Sequence, residues 1–223
     1  MTNKTEEEKK VLRRAERNLR NSHAKGLMQG ILSMLTSRDV VFDCGANVGD
    51  VTEPLAQTGA HVHAFEPDPH AFRKLQKRVG DLPNVTLHNT AVGTTAGHIR
   101  LMRALNFDDD PNNGSVKSTT TLGGRNINEE DRDSIKVPLI SLPDFIGATL
   151  RDYEYIAFLK MDIEGAELDL LELMLSQNLF DQINLTVAET HESKFKALRS
   201  RFKKLREDVS AVHPITKVNL EWI

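Results

Sequence analysis

Five acidic side chains follow strand-like segments of this 223-residue chain, and their positions suit chemistry on a charged ligand. They are Asp43, Glu66, Asp162, Glu164 and Glu189. Ligands of an open parallel sheet bind beyond the carboxyl ends of the strands, so these acids are expected to face one crevice. Carboxylates in one crevice repel one another and lose hydration unless something positive lies among them. The pattern therefore predicts a site for a cationic ligand.

The loop after the first of these strands, "DCGANVG" at residues 43–49, narrows the choice of ligand. A dinucleotide site carries G-x-G-x-x-G, so that backbone N–H groups and a helix N-terminus receive a pyrophosphate. Here the loop has one glycine fewer, and Asp43 would repel a pyrophosphate but attract the sulfonium and ammonium of S-adenosylmethionine. Glu66 can accept hydrogen bonds from both ribose hydroxyls. An S-adenosylmethionine site is therefore favoured over the NAD site of a dehydrogenase.

The elements that must position these residues alternate between strands and helices. Strands are predicted at 40–45, 60–67, 84–92, 153–162 and 183–189, and helices at 48–59, 68–80, 166–177 and 193–205. Strands separated by helices of about a dozen residues are typical of right-handed βαβ units. The fold class predicted is α/β, a Rossmann-like, doubly wound and mostly parallel sheet.

An insertion and the C-terminus depart from this alternation. Within the insertion at 94–140, two further strands at 97–105 and 134–140 precede the fourth core strand and flank a polar stretch, 106–133. A loop of that length is usually functional or disordered, so it is either a lid over the substrate or a loose insertion. The segments "SAVHPI" and "KVNLEWI" are predicted to close the chain as an antiparallel hairpin.

The N-terminus is predicted to be a helical extension, residues 1–37, attached to a core at 38–223 in a single domain. Its helix at 5–20 carries a thin apolar stripe that is expected to pack on the core: Val11, Leu12, Ala15 and Leu19. No apolar run approaches the roughly 20 residues of a membrane span, and no signal peptide is apparent. One cysteine, Cys44, excludes an internal disulfide, so a reducing cytoplasm is expected.

Charge is distributed unevenly and bears on the partner. Residues 26–190 carry 13 basic and 24 acidic side chains, whereas both ends are basic. Because nucleic-acid binding depends on lysine and arginine that neutralise phosphates, a nucleic-acid partner is disfavoured. The basic ends are interpreted as solvated helix faces.

Four segments resemble the class I S-adenosylmethionine-dependent methyltransferases, and within them the FkbM family. They are "VVFDCGANVGDVT", "VHAFEPDPHAFRKLQ", "NVTLHNTAVG" and, most specific, "LKMDIEGAELDLL" at 159–171, which matches the signature K-[IMV]-D-[IV]-E-G-A-E. The resemblance covers roughly 38–191 and includes the inserted strands. It implies a Rossmann-like fold, S-adenosylmethionine as cofactor, and O-methylation of a hydroxyl on a small molecule or glycan.

The resemblance also assigns residues to parts of the donor. Asp43, Gly45, Asn47 and Gly49 would hold the methionine part, Glu66 the ribose, Asn89 to Ala91 the adenine, and Asp162 would lie beside the methyl group. Gly49 in particular is expected to leave space for a backbone contact with the donor. Lys160, on the strand before Asp162, is expected at the surface or against a helix.

The base that takes the acceptor's proton is left open among three arrangements. His191 lies two residues past Glu189, where an imidazole with a pKa near neutrality could act as general base. Asp162 is the rival base. A divalent metal held by Asp162, Glu189 and His191 would be the third, acidifying a bound hydroxyl. The alternative to an enzyme is a donor-binding protein of the same fold without turnover.

Overall fold

The computed structural model describes residues 5–105, 107, 118–123, 127 and 134–222. Its helices are α1 Glu6–Met34, α2 Thr52–Gln57, α3 Pro69–Val79, α4 Leu142–Thr149, α5 Glu167–Ser176 and α6 Arg199–Val212. Its strands are β1 Val40–Cys44, β2 His61–Phe65, β3 Val85–His88, β4 Ala91–Gly93, β5 Gly97–Leu101, β6 Ile135–Ser141, β7 Ile156–Met161, β8 Ile183–Glu189 and β9 Val218–Trp222. Most of the polar stretch 106–133 lies outside the described residues. Among the described helices, none is both long and apolar enough to cross a bilayer.

The main sheet has the order β3-β2-β1-β7-β8-β9, and each neighbouring pair is parallel. The chain builds outward from β1 to one edge and then from β7 to the other, so the strand order reverses between β1 and β7. A crevice opens at such a switch point, beyond the carboxyl ends of the strands. The predicted doubly wound, parallel, Rossmann-like sheet is therefore confirmed.

The insertion forms a small second sheet of order β4-β6-β5. Both inserted strands are confirmed, with β5 antiparallel to β6. The predicted strand at 84–92 is in fact two strands, because the chain leaves the main sheet after His88 and enters the second sheet at Ala91. Thr90 joins the two sheets, since its hydroxyl donates to the Pro138 carbonyl at 2.9 Å.

The predicted C-terminal hairpin is wrong. Residues 210–212 form the last turn of α6, whose buried face carries Phe202, Leu205 and Val209. This amphipathic helix spans the sheet and returns the chain to the end where β8 begins. The strand β9 therefore runs parallel to β8, with Thr186 opposite Val218.

The predicted packing of the N-terminal stripe is also wrong. The helix α1 continues to Met34, and its first half is exposed: 65% at Val11, 42% at Leu12 and 57% at Leu19. Packing begins further along, where Leu27 and Ile31 contact the apolar cluster beneath β1 and β2. The helix reaches the sheet only where apolar residues recur four positions apart without intervening arginines.

Three histidines of β2 and β3 pack together beside α4, although the sequence shows them only as scattered residues. His61 stacks on His63 with 4.6 Å between ring centroids, and His63 Nδ1 lies 3.1 Å from His88 Nε2. Burial, together with the charges of His61 and His88, lowers the pKa of His63 to about 4. Burial also lowers the pKa of His88. His63 and His88 are therefore neutral in the folded protein at pH 7.

The protein is expected to lose stability as the pH falls from about 6.5 towards 4. Over that range the unfolded chain binds a proton at His63 that the folded chain does not. His63→Gln should reduce the dependence, measured as urea-unfolding free energies at pH 7, 5.5 and 4.5. His98→Gln, at an exposed position of β5, is the matched control. An unchanged acid dependence in His63→Gln would contradict the assignment.

Candidate active site

A cleft with about 640 Å³ of empty space, part of it open to solvent, lies at the switch point. We call it the central cleft. It is lined by Gly45, Asn47, Phe65, Glu66, Pro67, Thr90, Ala91, Val92, Leu101, Ser118, Thr120, Asp162, Ile163, Glu164 and Ala166. Five of the predicted donor-binding residues are in this lining, whereas Asp43, Gly49 and Asn89 are not.

The loop after β1 is held tightly between β2 and β7. The N–H groups of Gly45 and Ala46 both donate to the Phe65 carbonyl at 3.0 Å. Gly45 has φ +82°, and a Cβ there would lie 1.8 Å from the Asp162 carbonyl oxygen. Only glycine allows this contact, which brings the loop against the end of β7 and shapes one wall of the central cleft.

Gly49 lies close to the neighbouring helix α3. Its φ is +92°, and a Cβ there would lie 3.0 Å from Leu75 Cδ1 and 3.3 Å from Arg78 Cδ, on α3. A larger side chain at this position would push against α3, and a backbone contact of Gly49 with the donor stays a prediction. Gly49 is therefore required for packing of the loop on its neighbouring helix.

Asp43 is fully buried and does not face the central cleft. Its Oδ2 accepts from the Thr52 hydroxyl at 2.7 Å, and its Oδ1 lies 3.4 Å from Lys160 Nζ. The charge of Asp43 is thus compensated by the protein itself. Asp43 acts on the shape and electrostatics of the loop, and direct pairing with the donor stays a prediction.

Lys160 belongs to this site, although it is not among the residues predicted there from the sequence. It is 4% exposed, not at the surface, and its ammonium donates to the Gly45 carbonyl at 2.8 Å. The same ammonium lies 3.6 Å from Asp162 Oδ2. The charges of Asp43 and Asp162 outweigh burial and raise the pKa of Lys160, so it stays charged. The position of this lysine inside an otherwise apolar central strand is the sequence feature that indicates burial beside acids. A lysine can be buried in such a strand only with anionic partners.

Glu66 binds the backbone of the same loop from the end of β2. Its two carboxylate oxygens accept from the N–H groups of Asn47 at 2.8 Å and Asp68 at 2.7 Å. Each oxygen keeps a further lone pair for a ligand hydroxyl. Burial raises the pKa of Glu66 to about 7, although the two N–H groups oppose this shift.

The affinity for S-adenosylmethionine is therefore expected to increase with pH between 6 and 8. If only ionised Glu66 accepts the ribose hydroxyls, a pKa of about 7 predicts a change of about tenfold over that range. Calorimetric titration at pH 6, 7 and 8 measures it. Glu66→Gln should bind more weakly and with less dependence on pH. An equal dependence in Glu66→Gln would show that another group titrates.

The segment proposed for the adenine lies in part at the central cleft. Thr90, Ala91 and Val92 line it, whereas Asn89 is exposed and its side chain donates to the Glu66 carbonyl at 2.8 Å. Asn89 therefore braces the turn that carries Glu66. Part of the insertion also covers the cleft, because Thr119 Oγ1 donates to the Glu164 carbonyl at 2.5 Å.

His191 lies beneath the central cleft in a group of carboxylates, and only 2% of it is exposed. Its Nδ1 is 3.0 Å from Glu167 Oε1. Its Nε2 faces three further acids, at 3.5 Å from Glu164 Oε2 and at 3.7 Å from an oxygen of Asp162 and of Glu189. We call these five residues the carboxylate–histidine group. The structure brings together His191 and Asp162, as the sequence predicts.

The electrostatics of this group argue against His191 as a neutral base. Burial opposes a charge on the imidazole, but the hydrogen bond and charge of Glu167 and the charge of Glu164 outweigh it and raise the pKa of His191 to about 9. His191 is therefore protonated at neutral pH, contrary to the expected pKa. Burial raises the pKa of Glu164 and of Glu189, the latter also through the charge of Asp162.

Glu167 fixes the loop that presents Asp162 and Glu164. It is fully buried, and its oxygens accept from the N–H groups of Ile163 and Gly165, both at 2.8 Å. Glu164 has φ +56°, so this turn depends on such bonds.

A metal ion has a possible ligand set here that differs from the expected one. Asp162, Glu164 and His191 offer ligand atoms within 4.8 Å of one another, with Glu164 in place of Glu189. Lys194 already binds Glu164 Oε2 at 2.5 Å, however, and supplies positive charge. The metal arrangement remains a prediction.

A switch-point cleft with a glycine loop, an acid after β2 and buried acids beyond β7 and β8 is the site of a Rossmann-like S-adenosylmethionine-dependent methyltransferase. The chain belongs to the FkbM methyltransferase family, because the methyltransferase FkbM domain matches residues 43–209. S-adenosylmethionine is therefore the cofactor.

Several proteins are similar to this chain over parts of their length. The hexuronic acid methyltransferase AglP of Haloferax volcanii is 26% identical over 157 residues, which are 69% of this chain and 56% of AglP. The ribosomal RNA small subunit methyltransferase A of Thermotoga maritima is 49% identical over 53 residues, 24% of this chain and 19% of that protein. The solved structure of the METTL16 MTase domain is 11% identical in sequence and superposes with a TM-score of 0.38. The alignment covers 81% of this chain and 56% of the METTL16 chain. The chain thus spans about a fifth of the RNA enzyme and little more than half of AglP.

Proposed function

We propose that this methyltransferase acts on a hydroxyl of a small molecule or sugar. The observation that carries the proposal is the carboxylate–histidine group, which reaches the central cleft at Asp162 and Glu164. A hydroxyl must give up its proton when it is methylated, so a carboxylate near the methyl group would serve it. The similarity to AglP, a hexuronic acid methyltransferase, supports a sugar as acceptor.

The chain's own residues would hold the donor in the central cleft. Gly45 and Asn47 would contact the methionine part, Glu66 the ribose, and the backbone at Thr90 and Ala91 the adenine. S-adenosylmethionine supplies, when bound, a methyl group on a sulfonium. The protein mainly has to align the acceptor with that methyl group, and such alignment is worth about 7–11 kcal/mol.

The proton would pass to a carboxylate of the group and not to His191. At neutral pH the imidazole already carries both protons and lies buried below the cleft. Its positive charge would instead keep the neighbouring acids ionised and in place. Asp162 and Glu189 are the acids with the largest exposed fractions, 31% and 35% of their side chains.

An RNA acceptor is the second candidate, because two kinds of RNA methyltransferase match a short segment of the chain. The excess of acidic residues in 26–190 argues against it. A donor-binding protein without turnover is the remaining alternative.

The test is transfer of a labelled methyl group to defined acceptors. Glucose, galactose, mannose, glucuronic acid and total RNA would be incubated separately with S-adenosyl-[methyl-³H]methionine, with and without EDTA. We expect label in at least one sugar as an alkali-stable ether. An alkali-labile ester, label in RNA, or tight donor binding without any product would contradict O-methylation. Loss of activity in EDTA that Mg²⁺ or Mn²⁺ restores would establish the metal arrangement.

A further inference from the structure

A second cleft lies between α1 and the β8–β9 edge of the main sheet, with about 1450 Å³ of empty space open to solvent. We call it the edge cleft. Ala24 of α1 forms one wall, and Trp222 at the end of β9 forms another. The donor-binding roles proposed above use none of its lining residues.

Glu189 connects the edge cleft to the carboxylate–histidine group. Met161 and Ala188 are opposite each other in the pair β7–β8, so Asp162 and Glu189 follow side by side at the carboxyl ends of adjacent strands. Asp162 lines the central cleft and Glu189 the edge cleft. Both carboxylates lie 3.7 Å from the same atom, His191 Nε2. The neighbouring pair Asp162 and Glu189 therefore lies between the two clefts.

The walls of the edge cleft match a ring that carries several hydroxyls. Trp222 packs partly on the core and also lines the cleft, and an indole is a suitable apolar surface for a ring. Glu192 also lines the cleft. Its side chain is 29% exposed, and Arg206 Nη2 donates to its Oε1 at 2.7 Å. A carboxylate that is partly exposed in a cleft can accept a hydrogen bond from a ligand hydroxyl.

We propose that the edge cleft is the acceptor subsite and that it takes a pyranose-type sugar. The ring would lie on Trp222, one hydroxyl would donate to Glu192, and the reacting hydroxyl would point to Glu189. In the transfer, the sulfur–methyl bond breaks, the oxygen–methyl bond forms, and the hydroxyl proton goes to the Glu189 carboxylate. S-adenosylhomocysteine is the leaving product. This inference rests on the proposed O-methylation and names its acceptor class and its base.

Trp222 is the single tryptophan of the chain and therefore reports on the cleft directly. The emission of Trp222 would be followed while protein saturated with S-adenosylhomocysteine is titrated with glucose, galactose, mannose or glucuronic acid. We expect a saturable change with at least one sugar and none with cyclohexanol, a ring with a single hydroxyl. Ala24→Phe should weaken the sugar response at least tenfold. Ser22→Phe, at an exposed position of α1 outside the cleft, should not.

Glu189→Gln separates the base from the binding surface. It should lower turnover by about 10²–10⁴-fold, the usual size of a general-base contribution, and leave the Trp222 response to sugar within about threefold. Methylation of a sugar by the wild type without a Trp222 response, together with full turnover in Ala24→Phe, would overturn the edge cleft but not O-methylation. A Trp222 response without any methylated product would contradict O-methylation and keep the sugar subsite. The absence of both a Trp222 response and a methylated product with all four sugars would overturn the sugar as acceptor.

Discussion

Lys160→Met is expected to lower the free energy of unfolding by about 3–5 kcal/mol and to weaken S-adenosylmethionine binding with it. The substitution keeps the length of the side chain but leaves Asp43 as a fully buried carboxylate opposite no cation, which costs about that much. The Gly45 carbonyl also loses its donor, so the loop at the central cleft is no longer held. Urea unfolding and calorimetric titration measure the two effects.

A double-mutant cycle with Asp43→Asn tests whether the two charges act on each other. In the double variant both buried charges are absent, so part of the lost stability should return. If the two single changes simply add, the ion pair does not explain the effect. A loss below about 1 kcal/mol in Lys160→Met would show that the pair contributes little.

Methyl transfer is expected to fall as the pH rises through about 9. Below that pH His191 is an imidazolium that holds Asp162, Glu164 and Glu189 in place, and above it the charge is lost. A neutral His191 acting as general base would give the opposite sign, with a rate that increases up to about pH 9. Turnover at saturating donor and acceptor between pH 6.5 and 10 distinguishes the two.

His191→Asn removes the charge and keeps a side chain that can donate to Glu167. We expect turnover to fall by about 10²-fold, because Asp162 and Glu189 lose the charge that positions them. Donor affinity should stay within about threefold, because His191 does not line the central cleft. The decline above pH 9 should also disappear. Stability gives an independent check, since the raised pKa of His191 stabilises the fold below about pH 6.5 and this contribution is lost as the pH rises through 9. Full turnover in His191→Asn would remove His191 from the mechanism.

The sequence predicted the parallel sheet and three of the five acids expected at the central cleft, because both depend on local patterns. A strand followed by a polar residue shows where the carboxyl edge lies, and parallel pairing then brings such residues together. Glu66, Asp162 and Glu164 accordingly line one cleft. Glu189 belongs to the same carboxylate–histidine group although it opens onto a different cleft.

What the sequence could not show depends on partners distant in the chain. The burial of Lys160 is explained only by Asp43 on the neighbouring strand, and the contact of Gly45 only by Asp162. The raised pKa of His191 comes from Glu164 and Glu167, whose distances follow from tertiary packing. The C-terminus was mispredicted because the end of α6 carries residues that also suit a strand.

The pairing of β1 with β7 has a consequence for how the protein folds. Lys160 and Gly45, which meet at the switch point, are 115 positions apart in the chain. Loop closure over such a distance is slow, and contacts of this kind form after local ones. During synthesis, the first βαβ units leave the ribosome while Asp43 still lacks its cation. Donor binding therefore becomes possible only when the second half of the chain has been made and docked, and S-adenosylmethionine would stabilise completed molecules selectively.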